Sequence, residues 1–109
     1  MDTARLTQFR DLVALDPRDT VVRFGLGELY FQAREFAQAA EQFAEILRLD
    51  PRYSAAYRYL GQSHAALGRR QEAEATFQKG IAVAEARGDL QTAKEMRVFR
   101  RRLHQGHGE

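Results

Sequence analysis

Cysteine is absent from the sequence, which excludes disulfides, a thiol nucleophile and thiolate metal sites. Only three histidines remain for metal chemistry. Asparagine is absent as well, and proline occurs twice, so the strongest helix breaker acts at two points in the chain. No apolar run approaches the roughly 18 residues that a membrane-spanning helix needs. The opening Met1-Asp2-Thr3-Ala4-Arg5 is acidic and polar where a secretory signal is basic and then apolar. A soluble, cytoplasmic protein is the expectation.

What is present belongs to a globular chain. At 109 residues, 44% hydrophobic and 29% charged, the sequence fits one domain with a real core and shows no compositional sign of disorder. The net charge is only +2 but is unevenly spread. Residues 1–54 hold seven Arg against nine Asp and Glu, and residues 55–109 hold ten Lys and Arg against six acids. Positive charge therefore gathers toward the C-terminus. Arg outnumbers Lys by 15 to 2, which suggests a bacterial source.

The two prolines fall in one repeated phrase, Leu15-Asp16-Pro17-Arg18 and Leu49-Asp50-Pro51-Arg52. At the same offset of 34 residues Phe9 pairs with Phe43 and Phe77, Leu26 with Leu60, Gly27 with Gly61, and Ala39 with Ala73. Between these marks the apolar residues recur at three- and four-residue steps. Phe24, Leu26, Leu29, Tyr30 and Ala33 precede a polar turn near Arg34-Glu35, and Phe36, Ala39, Ala40, Phe43, Ile46 and Leu47 follow it. The next unit repeats the plan around a turn at Gly68.

Each proline disfavours helix in the residue before it, so the phrase separates one helical hairpin from the next. Asp19 or Thr20, and then Ser54, are candidate N-caps for the helices that follow. Gly27 and Gly61 sit in mid-helix, where glycine costs about 1 kcal/mol relative to alanine. The expected compensation is close approach of the helix carrying Ala39 or Ala73.

These residues resemble the tetratricopeptide repeat family: Leu26-Gly27 and Leu60-Gly61, Ala39 and Ala73, Phe43 and Phe77, with Pro51 closing the first unit. The resemblance implies an all-α, right-handed superhelical stack of antiparallel helix pairs, a solenoid of about six helices. Within one domain spanning 1–109, residues 4–18 form a half repeat, 20–53 and 54–87 two repeats, 89–103 a capping helix and 104–109 a flexible tail. Glu85 stands where a closing proline would fall in the second repeat, so that helix is expected to run to Arg87 and stop at Gly88, with Asp89 capping the next. In the capping helix Ala93, Met96, Phe99 and Leu103 share one face and Lys94, Val98, Arg101 and Arg102 the other.

The same resemblance implies a non-catalytic protein-interaction module, an adaptor whose groove receives an extended peptide or partner helix. Carried over by position, the groove comprises Val21, Phe24, Glu28 and Phe31 in the first unit and Ala55, Arg58, Tyr59 and Gln62 in the second, extended by Lys94, Val98 and Arg101. Arg52 and Tyr53 fall at its edge. One of Phe24 and Phe31 is expected to face the groove and the other the core. Some family members grip a C-terminal carboxylate with lysine, asparagine and arginine; the matching places here hold Phe24, Glu28 and Tyr59, which argues against such a clamp. The partner expected is a segment with apolar side chains toward Phe24 and Phe31 and acidic groups toward Arg58, Lys94 and Arg101.

Other chemistry finds little support. His64 reads as a packing histidine on the first helix of the second repeat, where the first repeat has Tyr30. His104 and His107 lie three apart, but no carboxylate is placed to orient them as metal ligands. No nucleophile elbow, phosphate-binding loop or catalytic triad is present, and Glu41, Glu45, Glu72 and Glu74 read as solvated charges. No enzyme activity, metal or cofactor is expected. Arg100-Arg101-Arg102, with Lys94 and Arg97, supports an alternative of nucleic-acid or polyanion binding. A second alternative is a homo-oligomeric scaffold, joined through apolar surface around Phe9 and Leu12.

Overall fold

A computed structural model describes residues 3–105. They form six helices: α1 (Thr3–Leu15), α2 (Thr20–Gln32), α3 (Phe36–Leu49), α4 (Ser54–Ala66), α5 (Arg70–Arg87) and α6 (Leu90–Gln105). No strand occurs among the described residues. Each helix packs on its sequence neighbours, and in addition α2 touches α4 and α4 touches α6. This contact pattern places α2, α4 and α6 side by side in one layer, with the intervening helices behind. The shortest dimension of the molecule is 19 Å, about two helix diameters, as two layers require.

The 34-residue register recurs in the hydrogen bonds of the connections. The carboxylates of Asp16 and Asp50 accept the amide N–H two residues on, from Arg18 at 3.3 Å and Arg52 at 3.0 Å. The carbonyl of each proline is then satisfied from the following helix. Arg23 Nη2 donates to Pro17 O at 2.7 Å, and the Tyr57 hydroxyl donates to Pro51 O at 2.8 Å. Within each hairpin the turn also repeats: Glu35 N–H donates to Tyr30 O at 2.9 Å and Arg69 N–H to His64 O at 2.8 Å. Both turns pass through a left-handed residue, Arg34 at φ 63° and Gly68 at φ 77°. Only glycine adopts that conformation without steric cost.

Caps follow the sequence at one helix and depart from it at another. Asp19 accepts from the Val21 and Val22 amides at 3.0 and 3.1 Å and caps α2. Ser54, a candidate cap for α4, is its first helical residue, while Tyr53 occupies the cap position without a side-chain bond. Buried beside the α5–α6 connection, Ser54 donates its hydroxyl to Asp89 Oδ2 at 2.6 Å. Asp89 also pairs with Arg87 at 3.3 Å. The serine thus joins the start of the second repeat to the start of the capping segment.

The core is built from the repeat marks. Leu26, Tyr30, Ala39, Phe43, Ile46 and Leu60 form one buried cluster, and Tyr57, Ala73, Phe77, Ile81 and Met96 belong to the next. The close approach at the helical glycines is ring on backbone. A β-carbon at Gly27 would stand 2.7 Å from Phe43 Cζ, and at Gly61 the Phe77 ring is nearer still. Each glycine leaves room for the aromatic ring of its own repeat.

At the ends, α5 stops at Gly88 in the left-handed conformation, at φ 79°. The last helix runs two residues beyond the expected Leu103. Its final turn is held by Arg70, which donates to the Leu103 carbonyl, and by His104 Nε2, 2.8 Å from Glu74 Oε1. His104 and Gln105 are therefore helical and not part of a tail, and residues 106–109, including His107, lie outside the described residues. At the other end α1 has no buried residue, and Leu15 is 82% exposed.

Candidate functional site: the face formed by α2, α4 and α6

The face of the front layer is organised around Tyr59. Its ring lies parallel to Phe43 at 4.9 Å between centroids and meets the edges of Phe24 at 5.4 Å and Phe31 at 5.1 Å. Tyr53 in turn stacks on Phe24 at 5.3 Å. The expected division of Phe24 and Phe31 between groove and core does not occur. Both are half-buried and both pack on the same tyrosine, because two residues seven apart on α2 lie on one stripe of the helix. Each such aromatic contact contributes roughly 0.5–1.5 kcal/mol beyond area burial, so these rings form a rigid floor.

Polar groups continue outward from that floor. The Tyr59 hydroxyl donates to Glu28 Oε2 at 3.0 Å, linking α4 to α2. Burial first, and then Glu28, push the Tyr59 phenol pKa up. The Arg58 guanidinium lies 4.3 Å from the Tyr59 ring centroid, donates to Gln62 Oε1 at 3.1 Å and stands 3.5 Å from Glu95 Oε1 of α6. Arg58 is thus a strut between α4 and α6 with its charge already paired. Glu95 is a groove residue that the sequence reading missed.

The expected face of α6 needs correction. Lys94 is exposed and Val98 half-buried, while Arg101 lines a crevice with Arg97, Arg100 and His104. That crevice lies on the α5 side of the helix, where Arg97 pairs with Glu85 and Arg100 with Glu74. The residues of α6 that flank α2 and α4 are Glu95, Phe99 and Arg102. The physical reason is that α6 packs against both α4 and α5. The side opposite its buried stripe faces solvent, and its groove side is a flank reached by a rotation of about a quarter turn.

At the C-terminal ends of α2, α4 and α6 the face deepens into an open hollow of about 370 Å³. Phe31 and Gln62, both expected in the groove, line it together with Phe36, Phe99, Arg34 and Arg102. Arg34 was legible only as part of a turn. Its signal was the mismatch in the repeat, arginine where the following unit has Gly68. Phe99, expected on the core face, stacks on Phe77 at 6.1 Å and also lines the hollow.

The remaining candidates take other places. Val21 is 73% exposed at the start of α2, and Arg52 is exposed in the α3–α4 connection. Ala55 lines a separate crevice with Tyr53, Ser54 and Arg87. His64 is half-buried behind the face, near Arg69 and Ala40, and burial lowers its pKa. The three consecutive arginines divide: Arg100, paired with Glu74, and Arg101 share the crevice with Arg97 and His104, whereas Arg102 lies 5.5 Å over the Phe99 ring.

Known proteins place this arrangement. The family model described as tetratricopeptide repeat matches residues 6–51 and 24–89. A TPR repeat-containing protein of Pseudomonas aeruginosa is 39% identical over 85 residues, which cover 78% of this chain and 81% of the relative. A protein of Bordetella parapertussis solved in solution superposes with a TM-score of 0.80 at 33% identity, covering 92% of this chain and 87% of its own. A tetratricopeptide repeat domain protein of Salinibacter ruber gives a TM-score of 0.75 at 26% identity, covering 86% and 98%. Proteins of this fold are in general protein–protein interaction modules. With its two repeats in 34-residue register and its aromatic rings seated on the helical glycines, the chain belongs to the tetratricopeptide repeat family.

Proposed function

We propose that the protein is a non-catalytic adaptor that binds an extended peptide or a helix of a partner protein across the face of α2, α4 and α6. The observation that carries this reading is the aromatic floor of Phe24, Phe31, Tyr53 and Tyr59. Each ring is braced by another, and each keeps part of its surface in solvent. Rings held in place lose little conformational entropy on binding, which lowers the ordering cost that opposes association. Phe31, Gln62 and Glu28 extend this floor across two helices, which suits a segment lying across the helix axes.

The test is selection from a displayed library of random short peptides. Peptides enriched on the native protein bind at least about tenfold more weakly to Phe31→Ala and equally well to Lys79→Glu, a control on the exposed side of α5. Circular dichroism verifies that both variants are folded. Enriched peptides indifferent to Phe31 and sensitive to Lys79 contradict the assignment of the face.

A further inference from the structure

The hollow at the ends of α2, α4 and α6 has a chemistry distinct from the rest of the face. Its walls are apolar, formed by Phe31, Phe36, Ala65 and Phe99, and no carboxylate lines it. Two guanidiniums stand at its rim. Arg34 lies 5.3 Å over the Phe36 ring and Arg102 lies 5.5 Å over the Phe99 ring. Among the described residues neither arginine has a carboxylate within ion-pair distance. The other cation of this face, Arg58, is held by Glu95. At the hollow an incoming acid therefore meets two guanidiniums with no carboxylate to displace.

The backbone adds an independent observation. Arg34 occupies a left-handed position at φ 63°, and its counterpart one repeat later is Gly68 at φ 77°, with the same turn hydrogen bond beside each. Glycine fits that conformation without cost and arginine does not. Side chains kept in such positions concentrate where the group itself is needed. Here the strained residue is the one that delivers a cation to the rim of an apolar hollow.

We propose that this hollow is the anchor site for a partner segment carrying a leucine or aromatic side chain flanked by aspartate or glutamate, with Arg34 and Arg102 facing the carboxylates. The anchor side chain enters between Phe31, Phe36 and Phe99. The volume of about 370 Å³ is at the lower end of ligand pockets, roughly 300–1,000 Å³, and accommodates one large side chain with its backbone. Guanidiniums already held over aromatic rings are partly preorganised, so less freedom is lost when each donates to a carboxylate. This inference rests on the peptide-binding reading of the face and specifies where the acidic part of the partner sits.

The same library selection provides the probe, read this time for composition and for dependence on the rim. The expected consensus is one apolar residue with acidic neighbours. A synthetic peptide of that consensus loses about tenfold in affinity on Arg34→Gly combined with Arg102→Gln, and Arg34→Lys retains more than half of the binding free energy lost by Arg34→Gly. Arg34→Gly keeps the melting temperature within about 4 °C of the native value, because relief of the left-handed backbone offsets the lost ring contact. A consensus without acids, or binding unchanged in the double variant, overturns the anchor site while leaving the peptide-binding face standing. Enrichment of no peptide overturns both.

Discussion

At the scale of single residues, contacts too close for a side chain decide more than propensity does. Gly61 would gain about 1 kcal/mol of helix propensity on becoming alanine. Its new β-carbon would instead meet the Phe77 ring, and overpacking of that kind costs roughly 1–3 kcal/mol. With about 0–2 kcal/mol left after the propensity gain, Gly61→Ala is expected to lower the melting temperature by up to about 10 °C, and pairing it with Phe77→Leu should cost less than the two single changes added together. Thermal unfolding of the three variants tests this, and strict additivity would contradict it. His64 gives a prediction in pH. Burial holds its pKa below the usual 6.5, so the unfolded chain takes up a proton that the folded chain resists. The stability from neutral His64 is present above about pH 6.5 and is lost as the pH falls from there toward the folded value. Melting temperature followed from pH 8 to pH 5 should decline less steeply in His64→Gln, and identical slopes would exclude the histidine as a source.

Among the elements, the 34-residue period was legible because each mark has one local cause. A proline ends a helix, a glycine admits a ring, and an aromatic fills the space between helices of a pair. Helix order, the stop at Gly88 and the cap at Asp19 followed from such causes. What escaped the sequence depends on which neighbours a helix touches. Ser54 has the sequence position of a cap, but the group its hydroxyl bonds is Asp89, 35 residues away. Lys94, Val98 and Arg101 share a face of α6 by periodicity, yet periodicity alone could not tell that α5 takes one flank of that helix and α4 the other. Arg58, expected to meet a partner's acidic groups, is paired with Glu95, which lies in a different element. These assignments lead to a prediction about joints. Asp19→Ala removes a local cap and should cost about 1 kcal/mol. Ser54→Ala leaves Asp89 with Arg87 alone and should cost about 1–2 kcal/mol, visible as faster amide exchange in the first turns of both α4 and α6. Exchange confined to α4 would contradict the inter-element role.

For the whole molecule, a stack in which each helix meets mainly its sequence neighbours has stability that is close to a sum of nearest-neighbour terms. Its ends should then open first. The first helix packs only on α2 and buries no residue fully, so its amides are expected to exchange fastest and those of α4, which packs on α3, α5, α6 and α2, slowest. The same architecture explains how so small a protein presents a stable surface: the rear helices hold the front three, and the front three display braced aromatic rings. The central claim is that this front face receives a partner segment. Its most direct test is titration of the isotope-labelled protein with a peptide enriched on it, followed by nuclear magnetic resonance. The account predicts amide shifts concentrated on α2, α4 and the Glu95–Arg102 flank of α6, strongest near Phe31, Gln62 and Phe99. Shifts concentrated instead on the outer sides of α3 and α5 would contradict it.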